Sequence, residues 1–102
     1  MNASLVIPAL NEEDSLPHVL DAIDRDLLLE VILVDGGSQD RTVEIAEEHG
    51  ARVVHESRSG YGRACAAGLA QARGEIVVFM DADGADDPRK IPDLLAPITQ
   101  SG

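Results

Sequence analysis

Two carboxylates one residue apart, Asp81 and Asp83, stand just after the apolar run Ile76-Val77-Val78-Phe79-Met80 and just before Gly84. Once a chain leaves the strict alternation of a strand, side chains at i and i+2 on a bend can face one point. Two acids at one point suit a hard divalent cation, Mg²⁺ or Mn²⁺, which takes one or two carboxylates and draws its remaining oxygens from substrate phosphates and water. Such an ion would neutralise a leaving diphosphate. Asp and Gly also favour turns for backbone reasons alone, so turn and helix-cap residues are the plainer reading. Their place at the end of a buried strand favours chemistry.

Three other segments share that placement. Asp35-Gly36-Gly37-Ser38 follows the run Glu30-Val31-Ile32-Leu33-Val34. Its glycines permit close backbone approach, and Asp35 can accept hydrogen bonds from a nucleobase edge or a ribose hydroxyl. A tight strand-to-helix turn capped by Ser38 accounts for the same residues. Gly60-Tyr61-Gly62-Arg63 opens a helix whose side chains are small: Ala64, Cys65, Ala66, Ala67 and Gly68. A glycine-rich helix N-terminus suits an anion, with charge added by Arg58 or Arg63, while small residues equally serve close packing on a sheet. The fourth segment, Pro8-Ala9-Leu10-Asn11-Glu12-Glu13, follows the apolar residues 4–7. His18, His49 and His55 lie at no metal-ligand spacing and read as surface or strand-end residues, and Cys65 reads as a packing residue.

The elements that must position these segments alternate as β-α-β-α-β-α-β-α. The first strand is residues 4–7, stopped at Pro8. Leu16, Val19, Leu20 and Ile23 then mark one helical face, with Ser15 as cap and Pro17 in the first turn, where a missing N–H is tolerated. Residues 30–34 form a strand buried on both faces. The next helix is capped by Ser38 or Asp40 and ends at Gly50. Residues 52–55 form a short strand, residues 61–73 a helix closed by Gly74, and residues 76–80 the fourth strand. Asp87-Pro88 opens a last helix with Ile91, Leu94, Leu95 and Ile98 on one face. Such alternation implies an α/β fold with a mostly parallel sheet, helices on both faces and right-handed crossovers. Ligands of these sheets bind beyond the carboxyl ends of the strands, so all four polar segments open onto one edge.

Composition narrows the classes. At 102 residues the chain is the size of one small domain, and 44% apolar with 26% charged residues is the balance of a globular one. Aromatics are only 2%, so the core is built of Val, Ile, Leu and Ala. The formal charge of −11 repels nucleic-acid phosphates and argues against a nucleic-acid partner. No stretch has the length of a membrane span, and Cys65 is the single cysteine, which suits a reducing cytoplasm.

Taken in order, four motifs resemble the family 2 glycosyltransferases of the Rossmann-like GT-A fold. Ile7-Pro8-Ala9-Leu10-Asn11-Glu12-Glu13 looks like the family's first strand and nucleotide loop, and Val34-Asp35-Gly36-Gly37-Ser38-Gln39-Asp40-Arg41-Thr42 like its second motif. Gly60-Tyr61-Gly62-Arg63-Ala64, continuing to Gly68, looks like the helix under the donor, and Phe79-Met80-Asp81-Ala82-Asp83-Gly84 like the metal motif. The branch it is most similar to holds dolichyl-phosphate mannose synthases and bacterial polyprenyl-phosphate sugar transferases. The resemblance implies metal-assisted, inverting transfer of a sugar from a UDP- or GDP-linked donor, with a membrane lipid such as a polyprenyl phosphate among the acceptors and a place at the inner face of the membrane.

By that resemblance Pro8, Leu10 and Glu12 line the base and ribose pocket, Asp35 reads the base, and Arg63 and Ala82 belong to the donor site. Asp81 approaches the ribose or sugar and shares the metal with Asp83, its main ligand. Two departures stand out: Leu10 where many relatives carry tyrosine, and Gly36 where many carry a second aspartate. The resemblance further implies that residues 1–102 are the nucleotide-sugar-binding part of a longer domain, that the general base lies downstream, that the fragment alone is inactive, and that it is prone to homo-oligomerise. Two other readings compete. A non-catalytic nucleotide-binding remnant fits the same residues. A hydrolase with an aspartate nucleophile also carries Asp-x-Asp-Gly after a strand, but there the motif continues with Thr near the N-terminus, whereas Ala85 follows Gly84 here and three strands precede it.

Overall fold

The computed structural model describes residues 2–85 and 88–91. Four strands alternate with three helices: β1 (Ala3–Ala9), α1 (Leu16–Asp21), β2 (Glu30–Asp35), α2 (Thr42–Glu48), β3 (Arg52–His55), α3 (Tyr61–Gln71) and β4 (Ile76–Phe79). Short 3₁₀ turns occupy Arg25–Leu27 and Pro88–Lys90. The strands form one parallel sheet in the order β3-β2-β1-β4. The expected alternation and parallel pairing are both present.

Strand β2 is buried from Val31 to Asp35, as a continuous apolar run predicts for a strand covered on both faces. Its alternate side chains enter two cores. Leu5, Ile7, Val31 and Leu33 pack with Leu16, Val19, Leu20 and Ile45, which puts α1 and α2 on one face. Val6, Ile32 and Val34 pack with Ala64 and Ala67 of α3 on the other. The small residues of α3 answer one of the open alternatives: a Cβ at Gly68 would overlap Val6 Cγ1 and lie 3.0 Å from Val34 Cγ2, so the helix rests on the sheet through its glycine.

Three sequence expectations need correction. Strand β1 does not stop at Pro8 but runs through it to Ala9. Alternation explains why: the Val6 carbonyl accepts from Met80 N on the β4 side and the Ala9 carbonyl accepts from Gly36 N on the β2 side. The Pro8 nitrogen therefore faces the β4 side, where pairing has already ended at Val6 with Phe79, and no ladder bond is lost. Helix α3 stops at Gln71 and Gly74 does not close it. Gly74 instead crosses under β1, where a Cβ would lie 2.7 Å from Ser4 N, and its own N–H donates to Ser4 Oγ at 2.9 Å. Ser15 sits at the N-cap of α1 without making a side-chain cap bond. Of the two caps proposed for α2, Asp40 accepts the Thr42 N–H at 2.9 Å, while Ser38 Oγ accepts from Asn11 N.

The end of α2 follows expectation: Gly50 takes φ +77°, and the N–H groups of Gly50 and Ala51 return to the Glu47 and Ala46 carbonyls. Of the last helix, Ile91 is buried in the core; Asp87, Leu94, Leu95 and Ile98 lie outside the described residues.

At the amino ends of the strands Glu30 gathers a polar cluster. It accepts from Ser4 Oγ at 2.6 Å, from Arg73 N at 2.7 Å and from Arg52 Nη2 at 2.9 Å. Burial alone would raise its pKa, but these donors outweigh it and hold the carboxyl below its ordinary value.

Candidate functional site

The chain winds outward from β1 to β2 and β3 with helices on one face, then crosses by α3 on the other face to place β4 against β1. The connections following β1 and β4 therefore diverge, and the crevice between them is where an open parallel sheet binds ligands. A cleft of about 270 Å³ lies there. Pro8, Ala9, Leu10 and Glu12 from β1 and its loop line it, with Val34 and Gly36 from β2, Gly60, Tyr61 and Ala64 from α3, and Asp81 after β4. Pro8, Leu10, Glu12 and Asp81 are thus brought together as the sequence predicts. Asp35, Arg63, Ala82 and Asp83 are not among the lining residues.

The loops after β1 and β2 are sewn together by side chains. Asn11 adopts φ +53°, a conformation Asn tolerates, and its Oδ1 accepts from Gln39 N at 2.8 Å while its own N–H donates to Ser38 Oγ at 2.9 Å. Glu12 N donates to Thr42 Oγ1 at 2.8 Å and Glu13 N to Asp40 Oδ2 at 3.2 Å. Sequence reasoning missed Asn11, although an Asn beside a strand end is a standing signal for left-handed backbone. It also missed Gly36 and Tyr61 as cleft residues.

Asp35 is buried at 4% exposure, and its carboxylate turns back onto its own loop. Oδ2 accepts from Gly37 N at 3.2 Å and Oδ1 from Ser38 N at 3.1 Å, with His55 Nδ1 3.4 Å from Oδ2. Burial raises its pKa, yet the Ser38 and Gly37 donors and His55 prevail and hold it below the ordinary aspartate value. Gly36, by contrast, is the residue of this turn that borders the cleft.

After β4 the chain turns through Asp81, half-buried in the cleft wall, and Ala82, buried at 3%, to the exposed Asp83. Asp83 Oδ1 accepts from Ala85 N at 2.9 Å, which fixes the bend. The Ala82 carbonyl accepts from Ser15 Oγ at 2.7 Å, tying this turn to the first turn of α1.

Across the cleft α3 begins at Gly60, with φ +119°, followed by Tyr61 and Gly62. No heavy atom stands within 4 Å of a Cβ built at Gly60 or Gly62, so the helix N-terminus opens toward space. Arg58 is not available to it as a free charge. Its Nε and Nη2 donate to Glu56 at 2.8 and 2.7 Å, and this pairing brings the Glu56 pKa down to about 2. Arg63 is exposed on α3.

The family model described as glycosyl transferase family 2 matches residues 4–102. The chain belongs to glycosyltransferase family 2. An uncharacterized glycosyltransferase of Mycobacterium tuberculosis is 46% identical over 93 residues, covering 91% of this chain and 42% of that protein. The undecaprenyl-phosphate 4-deoxy-4-formamido-L-arabinose transferase of Pseudomonas paraeruginosa is 41% identical over 104 residues, covering 90% of this chain and 31% of that protein. Among solved structures, glucosyl-3-phosphoglycerate synthase from M. tuberculosis, in complex with Mn²⁺, UDP and glucosyl-3-phosphoglycerate, superposes with a TM-score of 0.84 at 38% identity. That match covers 95% of this chain and 39% of the synthase. This chain therefore spans less than half the length of these relatives.

The side chains of Asp81 and Asp83 carry only oxygen donors, the chemistry Mg²⁺ and Mn²⁺ select. Among the described residues no three His, Cys, Asp or Glu side chains cluster to hold an ion. The pair fits a cation that arrives with a ligand's phosphates, rather than one caged by the protein.

Proposed function

We propose that this chain is the nucleotide-sugar-binding part of a glycosyltransferase that moves a sugar from a nucleoside-diphosphate donor to an acceptor, with Mg²⁺ or Mn²⁺ held by Asp81 and Asp83. The observation that carries this reading is the cleft between the β1 and β4 connections, with Asp81 in one wall and the N-terminus of α3 in the other. Pro8, Leu10 and Gly36 offer an apolar seat for a flat base, and Glu12 offers an acceptor for sugar hydroxyls. The N-terminus of α3, with its positive dipole end, favours the diphosphate. The cation, when bound, would neutralise charge on the departing diphosphate. Asp35 acts at one remove, by shaping the turn that presents Gly36. Arg63, exposed beyond the cleft, adds long-range attraction for the anion.

UDP is the favoured nucleotide, because the synthase structures that this chain resembles were solved with UDP and with UDP-glucose. The acceptor is proposed to carry phosphate: the Pseudomonas relative is named for undecaprenyl phosphate, and the synthase was solved with phosphoglyceric acid. A polyprenyl phosphate acceptor would set the protein at the cytoplasmic face of a membrane. Among the described residues no helix is long and apolar enough to cross one.

Calorimetric titration with UDP and GDP, with and without Mn²⁺, tests the reading. UDP should bind more tightly than GDP, and Mn²⁺ should tighten it; by linkage UDP tightens Mn²⁺ by the same factor. Asp83→Ala should abolish that coupling. Failure of both nucleotides to bind at millimolar concentration would leave the 81–84 segment a turn and nothing more.

A further inference from the structure

Ser15 occupies the N-cap position of α1, where a serine ordinarily accepts an N–H of the first helical turn. It forgoes that bond. Its backbone is already helical, at φ −93° and ψ −29°, and its hydroxyl turns to the Ala82 carbonyl at 2.7 Å, with Glu12 Oε2 3.2 Å away. The same hydroxyl thus stands between the carbonyl joining Asp81 to Asp83 and the carboxylate of a cleft residue. Ser15 does not line that cleft; it borders a separate hollow of about 650 Å³ with His18, Val19 and Gly84.

We infer that Ser15 is a positioning residue: by holding the Ala82 carbonyl against the start of α1, it sets the direction in which Asp81 and Asp83 meet a cation carried by the diphosphate. The inference rests on the donor-site reading above. A small divalent ion demands near-ideal geometry, so the setting of the bend that carries Asp81 and Asp83 matters. Asp83 is fixed locally by Ala85 N, which orients one side chain within the turn but does not orient the turn against the rest of the fold. The Ser15 hydroxyl supplies that second constraint. Because Ser15 is outside the nucleotide cleft, it should influence the ion without altering contacts to the base.

UDP titrations with and without Mn²⁺ on the wild type, Ser15→Ala and Ser15→Thr, each with a thermal melt, test this. Ser15→Ala should reduce the Mn²⁺-induced tightening of UDP about three- to tenfold, the worth of one neutral hydrogen bond, and leave metal-free UDP affinity within about twofold. Ser15→Thr keeps the hydroxyl and should restore the coupling. Unchanged coupling in Ser15→Ala overturns the inference alone. So does a loss of metal-free affinity in step with the coupling, because that marks a general structural role. A wild type whose UDP affinity ignores Mn²⁺ overturns the donor-site reading itself.

Discussion

Gly68 of α3 and Val6 of β1 meet so closely that the glycine's hydrogen is the only substituent the contact accepts. Any Cβ there must push the helix away from both Val6 and Val34. Gly68→Ala should therefore destabilise the fold by about 1–3 kcal/mol, as overpacking does. Gly62→Ala, in the same helix with open space around it, should be neutral or stabilising by up to about 1 kcal/mol. Urea denaturation of the two variants checks this, and equal effects would mean that α3 sits further from the sheet.

Stability should fall in acid through Glu30 and Asp35. Both have folded pKa values below their ordinary ones of 4.5 and 3.8, so their contribution is complete above those values and is lost as pH falls through the lower, folded ones. The urea midpoint should be level from neutrality to just above 4.5 as far as these groups are concerned, then decline. Glu30→Gln should be less stable than wild type at neutral pH and show a shallower decline below that point. Parallel pH profiles for the two proteins would remove Glu30 from the account.

Asp35→Ala should cost about 0.5–1.5 kcal/mol, because it removes the acceptor that the Gly37 and Ser38 N–H groups share. UDP binding should weaken whether or not Mn²⁺ is present, since the turn carrying Gly36 loses its anchor. His55→Ala, at an exposed position, should change stability by less than about 0.5 kcal/mol.

Gly36→Ala separates binding from folding. A Cβ there would lie 3.6 Å from the Ala9 carbonyl and 3.7 Å from Leu10 Cβ, ordinary contact distances, so the melting temperature should hold. The methyl would occupy the seat proposed for the base, and UDP affinity should drop several-fold in calorimetry.

Self-association is expected through β4, an edge strand of the described sheet that carries the exposed Phe79 (40%). Sedimentation velocity should show a concentration-dependent shift that Phe79→Lys reduces. A strictly monomeric wild type across the accessible range would rule this out.

The parallel sheet was legible because continuous apolar runs alternate with 3.6-residue periodicity, and Leu16, Val19 and Leu20 are buried on the face that their spacing marked. The sequence order of polar segments likewise placed Pro8, Leu10, Glu12 and Asp81 at one crevice. What escaped were side chains whose partners are distant in sequence. Ser15 reads as a cap because caps are local, and nothing within a few residues reveals a bond to Ala82. Asp35 is an acid at a strand end, and its spacing alone does not reveal that two N–H groups of its own turn donate to it. Gly74 reads as a helix terminator, whereas its constraint is the close approach of the β1 backbone at Ala3 and Ser4.

Pro8 gives the mismatch between β1 and β4 a further consequence. β1 continues past the last pairing of β4, so Pro8 and Ala9 overhang a stretch of sheet with no neighbour on that side among the described residues. An overhang of ordinary residues would offer a ladder of donors and acceptors to any passing strand, including one from another molecule. Proline withholds the donor, so the notch stays unzipped without becoming sticky toward other chains. That notch, beside a residue with no N–H to donate, borders the cleft proposed for the donor.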